Sequence, residues 1–461
     1  MQLGGCRRAL LCAIALTAAA VPAPAVAQFS PGSSGLGDEY FPFAGNGGYD
    51  VGHYTLRLDY DPATDVLDGH VTVSATATQG LSSFDLDLRG FDVAAVSVDD
   101  APATFVRDGQ ELVVTPAEPP PAGATFDVDV RYAGVPEVIT DPDDSIEGWI
   151  PTDDGAFVVN EPQGSPGWYP ANDNPRDKAT FDFRVTVPEG KVALANGVLR
   201  SRRTVLGETT WRWVQDEPMA PYLATATNGD FQTSFYETED GLPVYVAVDT
   251  PERTGTNLAR IPDIIELFSD LYGDYPFAAA GGIADNAGFV GYALETQTKA
   301  NYANNPSLGT TVHEVAHEWF GNAVTLTEWR DIWLAEGFAR WSEWIWTEKN
   351  GGASAADTFR ANYNSRTDAY WTRPPADVGG PEFLFSDPPY RRGAMTLQAL
   401  RETIGEEDFF TLLRTWFAEN KYGNVTTADF IATAERVSGE ELSGFFEAWL
   451  YGTTRPPLPG G

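Results

Sequence analysis

Polar and apolar residues alternate through the first half of the chain. Tyr54, Leu56, Leu58 and Tyr60 take every second position, as do Phe84, Leu86 and Leu88, and Phe126, Val128, Val130 and Tyr132. A period of two puts such residues on one face of a strand, so the pattern predicts half-buried antiparallel strands. Thr180 to Val187 continues the series and stops at Pro188-Glu189-Gly190. Glu118-Pro119-Pro120-Pro121-Ala122-Gly123 breaks it, because proline cannot donate to a sheet ladder. Residues 48–247 read as one β domain. The Ser/Gly-rich stretch Ser30-Pro31-Gly32-Ser33-Ser34-Gly35 before it suggests a flexible leader at 28–47.

Past residue 248 the period changes. Leu258, Ile261, Ile264, Ile265, Phe268 and Leu271 fall on one helical stripe, predicting a helix over Asn257 to Leu271. Further helices are expected near 352–370, 390–404, 406–419 and 427–437, the last capped by Thr426 and stopped at Ser438-Gly439. Residues 248–461 therefore form a second, mostly helical domain. No internal repeat of 20 to 50 residues is evident.

One stretch of this half carries chemistry. In His313-Glu314-Val315-Ala316-His317 the histidines are four apart, so on a helix their imidazoles share a face and can meet one metal ion. Glu314 is placed to reach a metal-bound water without being a ligand. Eighteen residues after His317 comes Glu336, in Trp333-Leu334-Ala335-Glu336-Gly337-Phe338-Ala339. A carboxylate there completes three protein ligands and leaves a fourth position open, which distinguishes a catalytic zinc site from a structural one. Histidines at this spacing also occur as ordinary core or surface residues. The chain has only 4 histidines, however, which makes a chance match improbable.

Composition narrows the partners. With 66 acidic against 30 basic residues the net charge is -36, which repels nucleic acid and anionic membrane surfaces. At 461 residues and 43% hydrophobic content, two or more well-filled cores are expected. Arg7-Arg8, the apolar run Ala9 to Leu16 and the small residues Ala25-Val26-Ala27 read as a signal peptide over 1–27, predicting an exported or extracytoplasmic protein. Both cysteines, Cys6 and Cys12, lie inside it, so no disulfide is expected after processing, and no other stretch is apolar enough to span a membrane.

Several motifs together resemble the aminopeptidase N family of zinc metallopeptidases, which includes leukotriene hydrolase. They are His313-Glu314-Val315-Ala316-His317-Glu318-Trp319-Phe320-Gly321-Asn322, the Glu336 block, Leu271-Tyr272-Gly273-Asp274-Tyr275-Pro276-Phe277 and Tyr390-Arg391-Arg392-Gly393-Ala394-Met395. The resemblance begins in the β domain, where Tyr169 to Phe181 and Glu217 to Leu223 also match. It implies a β-sandwich-like saddle followed by a thermolysin-like, mostly helical catalytic domain with a small sheet. It further implies one Zn²⁺ held by His313, His317 and Glu336, with Glu314 as general base and Tyr390 stabilising the oxyanion. Peptides with a free N-terminus would be the substrates.

In the family, two acidic or amide groups hold the substrate's α-ammonium. Glu161, in Asn160-Glu161-Pro162-Gln163-Gly164, matches the one from the β domain. The family's Gly-Ala-Met-Glu-Asn motif is altered here to Gly282-Ile283-Ala284-Asp285-Asn286, so either Asp285 or the later Glu295 is the second candidate. Asp331 and Asn322 are candidates to orient the imidazoles, and Glu318 reads as solvated or structural. Many relatives continue into a large helical domain that roofs the site; a chain stopping soon after Phe445 to Leu450 would be a short form with a more open cleft. The altered motif also admits a zinc endopeptidase, and a non-catalytic peptide-binding protein on the same scaffold is the alternative from another class.

Overall fold

A computed structural model describes residues 28–249 and 257–460, with Met1, Gln2 and Gly5. The expected signal peptide lies almost wholly outside the described residues.

The alternating runs form strands, antiparallel as expected except that Ala179–Pro188 pairs in parallel with Tyr49–Asp61, and Gly80–Asp87 with Phe29–Pro31. The largest sheet has 8 strands in the order Val198–Val205, Glu208–Met219, Ala179–Pro188, Tyr49–Asp61, Val66–Ala77, Thr125–Gly134, Asp92–Val98 and Ala101–Pro102. Along it, the inward set Tyr54, Leu56, Leu58 and Tyr60 is buried, as are Val128, Val130 and Tyr132. A 4-stranded sheet containing Gly80–Asp87 and a 5-stranded sheet containing Ile146–Pro151 and Ala156–Val159 complete the domain.

Two expectations need correction. Residues 28–47 are not a loose leader: Phe29–Pro31 pairs in parallel with the strand from Gly80, and Tyr40 and Phe41 are buried. Asp38 is the anchor that composition hides. Its carboxylate accepts from Tyr40 N, Phe41 N and, across to the second domain, Trp329 N at 2.9 Å. The domain boundary also falls earlier than 247. Gln232–Glu237 and Pro243–Val248 join the 5-stranded sheet of the second domain, beside Ala280–Ala284, Ala300–Tyr302 and Ala293–Leu294. The reason is topological. Pro243–Val248 runs parallel to Ala280–Ala284, and helix α1, Ile261–Tyr272, provides the crossover that a parallel pair requires. Periodicity identifies a strand but not the sheet it joins.

The remaining α-helices among the described residues are α2, Leu308–His317; α3, Trp333–Lys349; α4, Ala355–Ser365; α5, Gly393–Ile404; α6, Glu406–Asn420; α7, Thr427–Ser438; and the single turn α8, Ser443–Phe446. Thr426 caps α7 in a reciprocal box with Asp429. None is long and apolar enough to cross a membrane. The domains are joined by half-buried cations. Lys178 Nζ, from the β domain, donates to Asn322 O, Ala323 O and Gly423 O, each at 3.1 Å. Arg176 donates to Leu36 O, Thr327 O and Glu328 Oε1, tying the N-terminal segment to the stretch that leads into α3.

Candidate active site

A cavity of about 400 Å³ lies between the domains. The β domain contributes Asp143, Ser145 and Glu161; Tyr292, Ala293 and Glu295 come from the strand Ala293–Leu294 and the residues on either side of it. The helices contribute His313, Glu314, His317, Glu336, Arg340 and Glu343, and Tyr390 follows from the turn before α5.

Ser307 starts α2 by accepting from Thr310 N, and the helix turns His313 and His317 to one side. Their rings lie 4.8 Å apart between centres. Helix α3 packs against α2 and presents Glu336, whose Oε2 is 3.0 Å from His313 Nε2 and 3.6 Å from His317 Nε2. The other ring nitrogens are engaged: His313 Nδ1 with Glu343 Oε1 at 2.8 Å, and His317 Nδ1 with Phe320 O at 3.1 Å. Both Nε2 atoms are thereby aimed at the same carboxylate.

This donor set fits a zinc ion. One donor atom from each of His313, His317 and Glu336 lies within 4.8 Å of the others, and all three residues are buried. Two imidazoles and one carboxylate, each imidazole steadied through its second nitrogen, is a catalytic zinc arrangement. The electrostatics agree. Burial alone would lower the imidazole pKa values, yet hydrogen bonds with Glu336 and Glu343 carry His313 up to about 10, and Glu295 and Glu336 carry His317 up to about 9. The carboxylates around the imidazoles therefore favour positive charge in this pocket.

Glu314 is buried beside the histidines, and burial pushes its carboxyl up to about 7 against their opposing charge. Tyr390 stacks on His313 with ring centres 6.0 Å apart. Burial and the nearby Glu336 keep its phenol protonated far beyond the usual range. Glu161 and Glu295 face the same space. Each has a buried Oε1 with no partner, and burial followed by their mutual repulsion raises Glu161 well above a normal carboxylate.

Asp285 is not brought to the cavity. It follows the strand Ala280–Ala284, and its Oδ1 accepts from Asn286 N at 2.6 Å. Of the two candidates for the altered motif, Glu295 is the one at the site. Its backbone is held by Asn322 Nδ2, which donates to Glu295 O at 2.8 Å. Asp331 and Asn322 do not contact the imidazole nitrogens. Asp331 instead receives Thr427 N and Thr427 Oγ1 at the start of α7. Glu318 is buried rather than solvated, accepting from Thr298 N and Asn322 Nδ2. The sequence reading missed Glu343, although it lies seven residues after Glu336 and therefore on the same helical face.

Comparisons with known proteins agree with this geometry. The Peptidase M1 N-terminal domain model matches residues 51–223, and the Peptidase family M1 domain model matches residues 291–449. An M1 zinc metallopeptidase variant from Deinococcus radiodurans, solved with a Tyr-Ser-Ala substrate, is 30% identical, with a TM-score of 0.85 over 92% of this chain and 99% of that one. A second structure of the Deinococcus radiodurans enzyme gives 0.83, at 30% identity over 93% and 99% of the two chains. Aminopeptidase M1 of Arabidopsis thaliana is 29% identical over 64% of this chain and 36% of its own length. Aminopeptidase N of Lactococcus lactis is 27% identical over 61% and 37%. The chain thus spans little more than a third of these two curated relatives but nearly the whole of the two-domain structures. With both domain models matched in order and the two-domain architecture shared throughout, this chain belongs to the M1 family of zinc metallopeptidases.

Proposed function

We propose that this protein is a zinc-dependent aminopeptidase that removes N-terminal residues from peptides. The observation that carries the reading is the pairing, in one cavity, of a zinc-type donor set with two unpartnered carboxyls, Glu161 and Glu295. A substrate α-ammonium supplies the hydrogen-bond donors that these Oε1 atoms lack.

His313, His317 and Glu336 would hold the ion. When bound, zinc supplies Lewis acidity, polarising the scissile carbonyl and making water a better nucleophile near neutral pH. Glu314 takes the proton of the attacking water and returns it to the departing amine; a carboxyl near pH 7 suits both halves of that transfer. Tyr390, fixed in its protonated form, donates to the carbonyl oxygen as negative charge builds there. Glu161 and Glu295 fix the amine, and hence which bond lies at the ion. The reading includes export, which rests on the Arg7-Arg8 to Ala27 pattern.

Glu314→Gln tests the mechanism. The variant is expected to bind zinc as the parent does and to lose about 10²- to 10⁴-fold in kcat, the range for removing a general base. Full activity in a zinc-loaded Glu314→Gln protein would rule the scheme out.

A further inference from the structure

We propose that Arg340 recognises a carboxylate on the part of a short peptide that lies beyond the scissile bond. The inference rests on the aminopeptidase reading and deepens it by naming a substrate class for the same cavity.

The cavity wall is acidic. Asp143, Glu161, Glu295, Glu314, Glu336 and Glu343 all line it, and Arg340 is the one lysine or arginine among the lining residues. A substrate carboxylate is therefore repelled by these side chains and attracted at this guanidinium. Arg340 also has donors to spare. Nη1 donates to Glu343 Oε2 at 2.8 Å, whereas Nε is buried without an acceptor and Nη2 makes no hydrogen bond among the described residues. The side chain is 29% exposed, so part of the guanidinium reaches the cavity. A carboxylate is the acceptor that makes the strongest, charge-assisted bond to such a donor.

Position gives the direction. Arg340 follows Glu336 by four residues, one turn farther along the same face of α3. Its guanidinium carbon is 5.9 Å from the centre of the Tyr390 ring. The amine-facing carboxyls come from elsewhere: Glu161 follows the strand Ala156–Val159 in the β domain, and Glu295 follows Ala293–Leu294. A peptide with its amine at those two groups and its first carbonyl at the histidines leaves Arg340 for the residues after the scissile bond. The carboxylate has two chemical sources, the C-terminus of a dipeptide or tripeptide or an acidic side chain just after the cleaved bond.

The test measures binding, so it does not depend on turnover. Zinc-loaded Glu314→Gln protein is titrated calorimetrically with Leu-Ala-Ala, its C-terminal amide, the amide of Leu-Asp-Ala, and N-acetylated Leu-Ala-Ala. At least one of the first and third is expected to bind about 10- to 100-fold more tightly than Leu-Ala-Ala amide, the range for a charge-assisted hydrogen bond. Which of the two does so identifies the source. Adding Arg340→Gln should erase that difference while leaving the Leu-Ala-Ala amide within about twofold, and Arg340→Lys should keep part of it. Equal affinity for the acid and both amides overturns the proposal, as does no binding of any peptide. So does an Arg340→Gln effect that weakens all peptides alike, because Arg340 would then serve only to hold Glu343. Tight binding of the acetylated peptide counts against the amine clamp and leaves the Arg340 comparison intact.

Discussion

At the scale of single residues, the site is built on pairs in which one member aims the other. Glu343 turns the His313 ring by accepting at Nδ1, so that Nε2 faces Glu336 at 3.0 Å. Such outer partners raise ligand basicity and fix the tautomer. Glu343→Gln should therefore weaken zinc affinity about 10- to 100-fold, measured by competition with a chelating dye, with the fold retained. Unchanged affinity would mean that the Phe320 carbonyl and helix packing suffice to aim the ligands. His313, Glu314, His317 and Glu336 were legible in the sequence because a helix converts spacing directly into direction. Glu343 and Arg340 obey the same arithmetic from Glu336. Glu295 was harder, because at a strand end the direction of a side chain depends on register, and Asp285 occupied the position that the motif suggested.

At the scale of elements, what sets Tyr390 is the close approach of α3 and α5. A Cβ on Gly337 would meet Gly393 Cα at 3.0 Å, and one on Gly393 would meet Gly337 Cα at 2.8 Å. These glycines flank the chemistry, since Gly337 follows Glu336 and Gly393 comes three residues after Tyr390. The π-helical turn Pro388–Arg392 lies between, anchored by Arg392, which donates to Trp371 O, Arg373 O, Ala448 O, Trp449 O and Gly452 O. Gly337→Ala is expected to cost about 1–3 kcal/mol of stability through overpacking, read from denaturant titration. It should also lower kcat more than it raises KM, since it moves Tyr390 relative to the ligands and leaves the amine site in place. A fully active, equally stable variant would show that the helices have room to part. Helical periodicity places α3 and α5 on the sequence, but which faces meet is settled by residues far apart in the chain.

For the whole molecule, the acidity noted in the composition extends into the interior. Burial pushes Asp87, Glu111 and Asp177 up to about 8, well above a carboxylate in the unfolded chain. The folded state then binds more protons than the unfolded state between about pH 4 and pH 8. Their contribution to stability is full below that window and is lost as pH rises through it. The melting temperature is therefore expected to be higher near pH 5.5 than near pH 8.5, and Asp177→Asn should flatten that slope. A slope of opposite sign would mean that these groups are ionised in the fold. Asp87 also accepts from Gly45 N and Asp173 N, so the same chemistry secures the N-terminal segment against the β domain. That segment's order was not legible because serine and glycine dominate its composition, whereas its attachment depends on Asp38 meeting Trp329 N across a sequence separation of 291.

Hydrolysis of one peptide with a free N-terminus beside its N-acetylated twin, each with and without a zinc chelator, bears on the zinc site and the amine clamp together. Release of single N-terminal residues from the free peptide alone, abolished by the chelator and restored by zinc, is the expected result. Cleavage of both peptides at equal rates would contradict the role given to Glu161 and Glu295, and cleavage that survives the chelator would contradict the one given to His313, His317 and Glu336.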